Sequence, residues 1–356
     1  GAGEGPVALF VVHYDSRPGP HPAPPPAEGT LPQDLRVPLR SLDRSDGGAP
    51  GAGDDGAALA AFLEALRALQ GGDAPANELW FLFTDGEEYG LLGAEAFARR
   101  PGALERVAVV LNFEGRGNGG PVVLFETGRD DAPWLGAYAQ AVRWPQASSL
   151  GPTAYEHLPN DTDFSVFKRR GLPGLNFAFI GGGSAYHQPW DTPENLDPRT
   201  LQHHGEIVLG LARHLGEADL GDLGDRRGRA TFFTLPGNVL VRYPRSWEPV
   251  FALIAALATA GALTFGVRSQ ALRARGVLLA VLAWPVTTAL LAVAILAVAW
   301  LNGRGAALAL GALGATDDVV PRGNLTSSTW TTLGVMGCVG LVAVLLARWT
   351  RPAWAQ

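Results

Sequence analysis

The chain has 356 residues, 47% hydrophobic and 17% charged, with a formal net charge of −6. Residues 249–356 hold seven arginines and two acids, which leaves 21 basic and 32 acidic residues, a net of −11, in 1–248. So acidic a part argues against a nucleic-acid partner, and one cysteine, Cys338, excludes an intrachain disulfide and a cysteine-based zinc site. The chain starts at Gly1 without Met or an apolar leader and reads as a processed form or a piece of a longer chain.

Residues 7–12, VALFVV, predict a buried strand, and HYDS follows it. Residues 17–50 include RPGPHPAPPPAEG, which forms neither a packed helix nor a central strand. They read as a long exposed loop that contains a solvated His21. GAGDDGA then leads into a helix over 57–69, whose apolar residues recur at helical spacing. LWFLFT, 79–84, predicts the next strand and runs into FTDGEEYG, which crowds Asp85, Glu87 and Glu88 at its end. Two readings fit that crowding: a solvated turn whose acids cap the next helix, or a metal site in which cations relieve the repulsion. Further strands are expected at 107–113, 121–125 and 175–180, and helices near 132–143, 163–170 and 198–215. His203, His204 and His214 on the last of these read as solvated.

Strands alternating with helices indicate an α/β fold, a three-layer sandwich around a mostly parallel mixed sheet. Three apolar segments follow, 249–267, 277–301 and 330–347, and they read as transmembrane helices in contact with lipid. Trp247, Trp300, Trp330 and Trp349 stand at their ends as interfacial aromatics do. Arg268, Arg273 and Arg275 between the first two, with Arg348 and Arg351 after the third, place that loop and the C-terminus in the cytoplasm and the acidic domain outside.

In a parallel sheet, sites gather beyond the carboxyl ends of the strands. The polar residues expected there or just before a helix are His13, Asp15, Asp54, Asp55, Glu87, Glu88, Glu114, His187 and Asp191. Two imidazoles among carboxylates suit zinc. The mix suits two ions better than one: a shared carboxylate, with one His and one further carboxylate for each. The absence of HExxH excludes the one-zinc type borne on a helix.

The ordered set HYDS, DDG, GEEYGLLGA, NFE and YHQPWDT resembles the co-catalytic di-zinc aminopeptidase family. That family includes bacterial leucyl aminopeptidases, aminopeptidase Y, glutamate carboxypeptidase II and the endoplasmic-reticulum metallopeptidases. The match covers about 7–215, with TDFSVFKRRGLPGLNF fitting the segment before the last ligand. The resemblance implies that His13 ligates one zinc and that Asp54 bridges both. It implies that Glu88 completes the first ion with His187 on the other side, leaving open which ion each serves, and that Glu114 is a further ligand. Glu at 114, where many members have Asp, favours the endoplasmic-reticulum branch. Glu87 is implied as general base, Asp15 as the group that orients His13, and the Asp54–Asp55 peptide as cis. Asp163 matches a family aspartate near the site and also fits a helix N-cap. Asp191 fits as the residue holding the turn after His187. Asp55, Tyr186 and Arg116 stand near the motifs as packing residues or substrate contacts. The family joins its first two motifs by a much shorter loop, so 17–50 is a departure.

The expected organisation is a catalytic domain at 1–225, a connector at 226–248 and a membrane domain at 249–356. The expected function is that of a membrane-anchored zinc exopeptidase, an aminopeptidase that removes N-terminal residues of peptides with a metal-activated water. A single-zinc acyl- or cyclotransferase relative and a non-catalytic receptor-like member remain alternatives.

Overall fold

The computed structural model describes residues 5–17, 48–156, 158, 160–273, 275–279 and 281–283. Residues 18–47 of the 17–50 insertion, with His21, and also His157, most of the second apolar segment and all of the third lie outside the described residues.

Strand β1, Val7–His13, is buried along its whole length. Side chains alternate across a strand, and here both faces are covered. Ala8, Phe10 and Val12 join one apolar cluster, and Val7, Leu9 and Val11 join another. That is why VALFVV reads as an unbroken apolar run. Strands β2, Leu79–Thr84, and β3, Val107–Gly115, pair with β1 in parallel on either side. Strand β5, Gly174–Gly181, extends the parallel sheet beside β3, and β4, Gly119–Thr127, closes it antiparallel to β5. The order is β2-β1-β3-β5-β4.

Helices α1, Ala57–Gln70, α3, Ala132–Ala141, and α6, Pro198–Glu217, supply buried residues to the first cluster. Helices α2, Leu92–Ala98, and α5, Asp163–Arg169, supply the second. The result is a mixed, mostly parallel sheet between two helical layers. Phe62 of α1 sets its ring edge-on to Phe81 and Phe113, at 5.5 and 5.4 Å between centroids. Short helices α4, Leu150–Tyr155, and α7, Leu220–Asp225, complete the helical part.

Three expectations change. His204 is not solvated: it is wholly buried on the stripe of α6 that carries Thr200, Ile207, Val208 and Leu211. Its ring lies 5.5 Å from Phe113 and 5.7 Å from Phe179, and burial, with His203 beside it, pushes its pKa down to about 3. His203 is half-buried: its Nδ1 accepts from the Val122 N–H at 3.1 Å and its Nε2 lies 3.0 Å from the Trp144 carbonyl. The stretch expected as a connector, 226–248, contains an antiparallel hairpin, β6, Ala230–Leu235, and β7, Val239–Pro244. Phe232 of that hairpin is buried in the first cluster, and its N–H donates to the Ser149 hydroxyl at 2.8 Å. The first compact unit accordingly runs to Glu248.

Helix α8, Glu248–Arg268, is long and apolar enough to cross a membrane, and it exposes Leu253, Ile254, Leu257 and Phe265.

Candidate metal centre

The chain winds from β1 outward to β2 on one side and from β3 out to the edge strand β4 and back to β5 on the other, so its direction reverses between β1 and β3. A crevice opens at such a switch point beyond the strand ends. His13 is the last residue of β1, and Glu114 is the penultimate residue of the neighbouring β3. Glu87 and Glu88 follow β2 after a turn at Gly86, whose φ of 72° favours glycine. His187 comes from the loop after β5. Asp54 and Asp55 lie in the irregular turn Ala52–Gly56 that opens α1, and the peptide between them is cis.

These residues form two groups that share Asp54. In one, His13 Nε2 lies 3.3 Å from Asp54 Oδ1 and 3.5 Å from Glu114 Oε2. In the other, His187 Nε2 lies 3.0 Å from Asp54 Oδ2 and 2.9 Å from Glu88 Oε1. Each Asp54 oxygen therefore faces a different imidazole. Glu88 stands with His187, a partition the resemblance had left open.

The backbone around these groups is tied down by two other carboxylates. Asp15 accepts the Glu87 N–H on Oδ1 and the Glu88 N–H on Oδ2, both at 3.1 Å. Its main-chain carbonyl, 3.0 Å from His13 Nδ1, orients the ring, while its carboxylate lies at 3.4 Å. Asp191 accepts the Gly53 N–H at 2.7 Å and the Asp54 N–H at 3.2 Å, so it holds the Asp54 turn as well as its own loop. Glycine is required where this turn meets β3. A Cβ on Gly53 would stand 2.1 Å from the Gly117 carbonyl, and one on Gly115 would stand 2.0 Å from the Gly53 carbonyl.

Behind Glu114 runs a buried polar chain. The Asn112 amide donates to Glu114 Oε1 at 2.9 Å and to Asn176 Oδ1 at 3.0 Å. The Asn176 amide donates to Glu126 Oε2 and to the Thr162 hydroxyl, each at 2.9 Å. Glu126 Oε1 accepts from Lys168, the only lysine in the chain, at 3.0 Å.

The model of peptidase family M28 matches residues 2–212. The chain belongs to this family. M28 peptidases are zinc-dependent. Endoplasmic reticulum metallopeptidase 1 of Mus musculus is 32% identical over 202 residues, which cover 55% of this chain and 22% of that protein. A vacuolar membrane protease of Yarrowia lipolytica is 32% identical over 197 residues, 54% of this chain and 19% of the relative. This chain thus matches about a fifth of the length of those curated relatives. Among solved structures, an aminopeptidase from Aneurinibacillus sp. strain AM-1 aligns with a TM-score of 0.40 at 19% identity, covering 60% of this chain and 45% of that one.

The donor set of this M28 domain fits zinc. Ligand bonds of ~2.0–2.1 Å at a tetrahedral ion hold ligand atoms about 3.3 Å apart, and the four imidazole–carboxylate distances span 2.9–3.5 Å. His13 Nε2, His187 Nε2 and Glu88 Oε1 are buried without a hydrogen-bond partner. Near each other yet not aligned for hydrogen bonds, they are turned toward shared points.

The electrostatics agree. Burial alone would lower both imidazoles, but the nearby carboxylates of Asp15, Asp54 and Glu114 hold His13 well above its usual range. Asp54 and Glu88 likewise raise His187 to about 9. Burial, then the Glu114 charge, pushes Glu87 well above the carboxylate range. Burial raises Glu88, and burial raises Asp55, whose two buried oxygens have no partner. Burial pushes Asp54 up, but the two imidazoles win and lower it. This pattern is that of a cluster short of positive charge.

Asp163 is not the N-cap of α5. Thr162 fills that position in a capping box with Ser165. Asp163 instead accepts from the Thr84 hydroxyl, leaves Oδ1 buried and unpartnered, and is raised by burial to about 7. Tyr186 stacks on the His187 ring at 3.6 Å between centroids. Thr84, Asn112, Asn176 and Glu126 escaped the sequence reading. The two asparagines were legible in principle, because a polar residue inside VVLNF or LNFAF requires a buried partner.

Asn112→Ala removes the donor that fixes Glu114 Oε1. Zinc affinity should fall about 10–100-fold with the melting temperature little changed. A zinc Kd within twofold of the parent would remove Asn112 from the site.

Below about 9 the metal-free chain holds a proton on His187, and an incoming cation must displace it. Zinc affinity, measured against a chelator, should therefore rise with pH between 6 and 9. A flat profile between pH 6 and 9 would show that His187 takes no part in metal binding.

Proposed function

We propose that the chain is a membrane-anchored zinc exopeptidase, an aminopeptidase acting on the N-terminal residues of peptides, with two zinc ions per chain. The observation that carries this reading is the Asp54 carboxylate, whose two oxygens face two imidazoles, each accompanied by a further carboxylate. One ion would be held by His13, Asp54 and Glu114 and the other by Asp54, Glu88 and His187. Family membership and the metallopeptidase and membrane-protease relatives support the reaction class.

Bound zinc supplies Lewis acidity, which acidifies water and stabilises charge developing on a carbonyl oxygen. The rest falls to side chains. Glu87 takes the proton of the attacking water and returns it to the leaving amine. Its backbone N–H, held by Asp15, fixes where that carboxylate starts. Asp15 orients His13 through its carbonyl, and Asp191 keeps the Asp54 turn closed against β3. Tyr186 backs the His187 ring. Helix α8 supports a membrane anchor, and Arg268, Arg273, Arg275, Arg348 and Arg351 favour 249–356 as a membrane domain with the catalytic domain on the extracytoplasmic side.

The adjacent glutamates should part company when changed. Glu88→Gln removes an anionic ligand, so zinc per chain should fall. Glu87→Gln should keep about two zinc ions while turnover drops at least ~10²-fold. Equal zinc loss in both variants, or near-normal turnover in Glu87→Gln, would overturn the roles, and one zinc per chain in the parent would favour the cyclotransferase-type alternative.

A reporter active only in the cytoplasm, fused after Gln356, should be active. Activity from an externally active reporter alone would reverse the orientation.

A further inference from the structure

Arg116 follows β3 directly. Its N–H donates to the Phe179 carbonyl at 2.9 Å, so the ladder with β5 continues to it. Strand alternation then puts its side chain on the same sheet face as that of Glu114, two residues back. The guanidinium lies over the Tyr186 ring, 4.9 Å from the centroid, and the same ring stacks on His187. The Asn160 side-chain oxygen, in the amide orientation that satisfies both groups, accepts from Arg116 Nη2 at 2.9 Å and from Nη1, which leaves Nε and the outer N–H groups free among the described residues. An aromatic face and an amide thus fix an exposed guanidinium one ring away from a candidate metal ligand.

Among the described residues Arg116 pairs with no carboxylate, whereas Arg17 faces Glu88 at 3.8 Å. The acids nearby, Glu88 and Glu114, are turned toward the two imidazoles. A second donor is unused close by. The Tyr155 hydroxyl, which feels the charges of both Glu114 and Arg116, is buried without a partner. A planar guanidinium with free N–H groups matches a carboxylate in two parallel hydrogen bonds and repels an ammonium group.

We propose that Arg116, seated on Tyr186 and tied to Asn160, forms a subsite for a carboxylate of the peptide substrate. The inference rests on the peptidase reading above and adds what that peptide must carry. The carboxylate comes from one of two sources, the C-terminus of a dipeptide-sized substrate or an acidic side chain.

The test uses the full chain, loaded with zinc and purified in detergent, with two matched pairs of peptides. Leu-Ala against Leu-Ala amide probes the terminus, and Leu-Glu amide against Leu-Gln amide probes the side chain. In the parent, one pair should show a kcat/KM preference for the acid of about 10–100-fold, expressed in KM. Arg116→Ala should bring that ratio to about 1 with zinc content unchanged, and Arg116→Lys should keep part of it. A purely structural Arg116 would lower both members of a pair together and leave the ratio alone. A ratio near 1 for both pairs in the parent, or one that survives Arg116→Ala, overturns the subsite. Should the parent cleave no peptide, the peptidase reading fails separately. The subsite is then judged by equilibrium binding of the same peptides, where an acid that binds no tighter than its amide overturns it.

Discussion

Like charges cannot be crowded in a buried site without compensation, and that constraint governs the upper edge of this sheet. Two unit charges ~4 Å apart at an effective dielectric of about 20 repel by roughly 4 kcal/mol. Asp54, Glu88 and Glu114 all converge there, with Glu87 and Asp55 close behind. The fold tolerates the crowding because His13 and His187 stand between the acids and carry protons when no cation is present. Two divalent cations in the proposed site would replace those protons and give the same relief without asking an imidazole to stay charged. The cluster thus persists as an acid–imidazole network, and in the proposed reading it would become reactive when metal replaces the protons.

Holding such a cluster needs a stiff frame, and the sheet provides it. Val7–Val12 are buried on both faces, so the end of β1 that carries His13 cannot shift without disturbing both helical layers. The turn with Asp54 approaches β3 so closely that glycine is needed at both 53 and 115. At the base of the insertion, the Ser16 hydroxyl and the Ala49 N–H form hydrogen bonds of 2.9 Å across its two ends. The ends of the long loop therefore meet beside HYDS and DDG, which explains how a departure of this length leaves the flanking motifs in register.

What the sequence disclosed follows from which interactions are local. Strands buried on both faces, and helices such as α1 with apolar positions at 58, 61, 62 and 65, announce themselves by periodicity. The residues of the cluster were legible because strand ends in a parallel sheet converge, although the partition of Glu88 to His187 depended on loop paths that no spacing encodes. His204 was misjudged for want of the same periodicity, since it lies three, four and seven residues before Ile207, Val208 and Leu211 and so belongs to the buried stripe. The hairpin β6–β7 stayed hidden because its strands are largely half-exposed and are held by contacts to Ala147–Ser149, more than 80 residues away.

Hydrogen-bond satisfaction sorts the acids of the cluster by the job each can do. Asp15 and Asp191 each give both oxygens to the N–H groups of two successive residues, so each acts by fixing a turn. An asparagine at either position would exchange one acceptor for a donor facing an N–H, which is why a carboxylate is needed where no charge is being used for chemistry. Glu114 is intermediate, with Oε1 bound by Asn112 and Oε2 turned to His13. Glu88 Oε1 and the Nε2 atoms of His13 and His187 are buried and unfilled. Motif matching alone ranks all of these residues alike. The distinction between a side chain that holds the frame and one left free for the proposed ion appears only when each oxygen and nitrogen is followed to its partner, or to the lack of one.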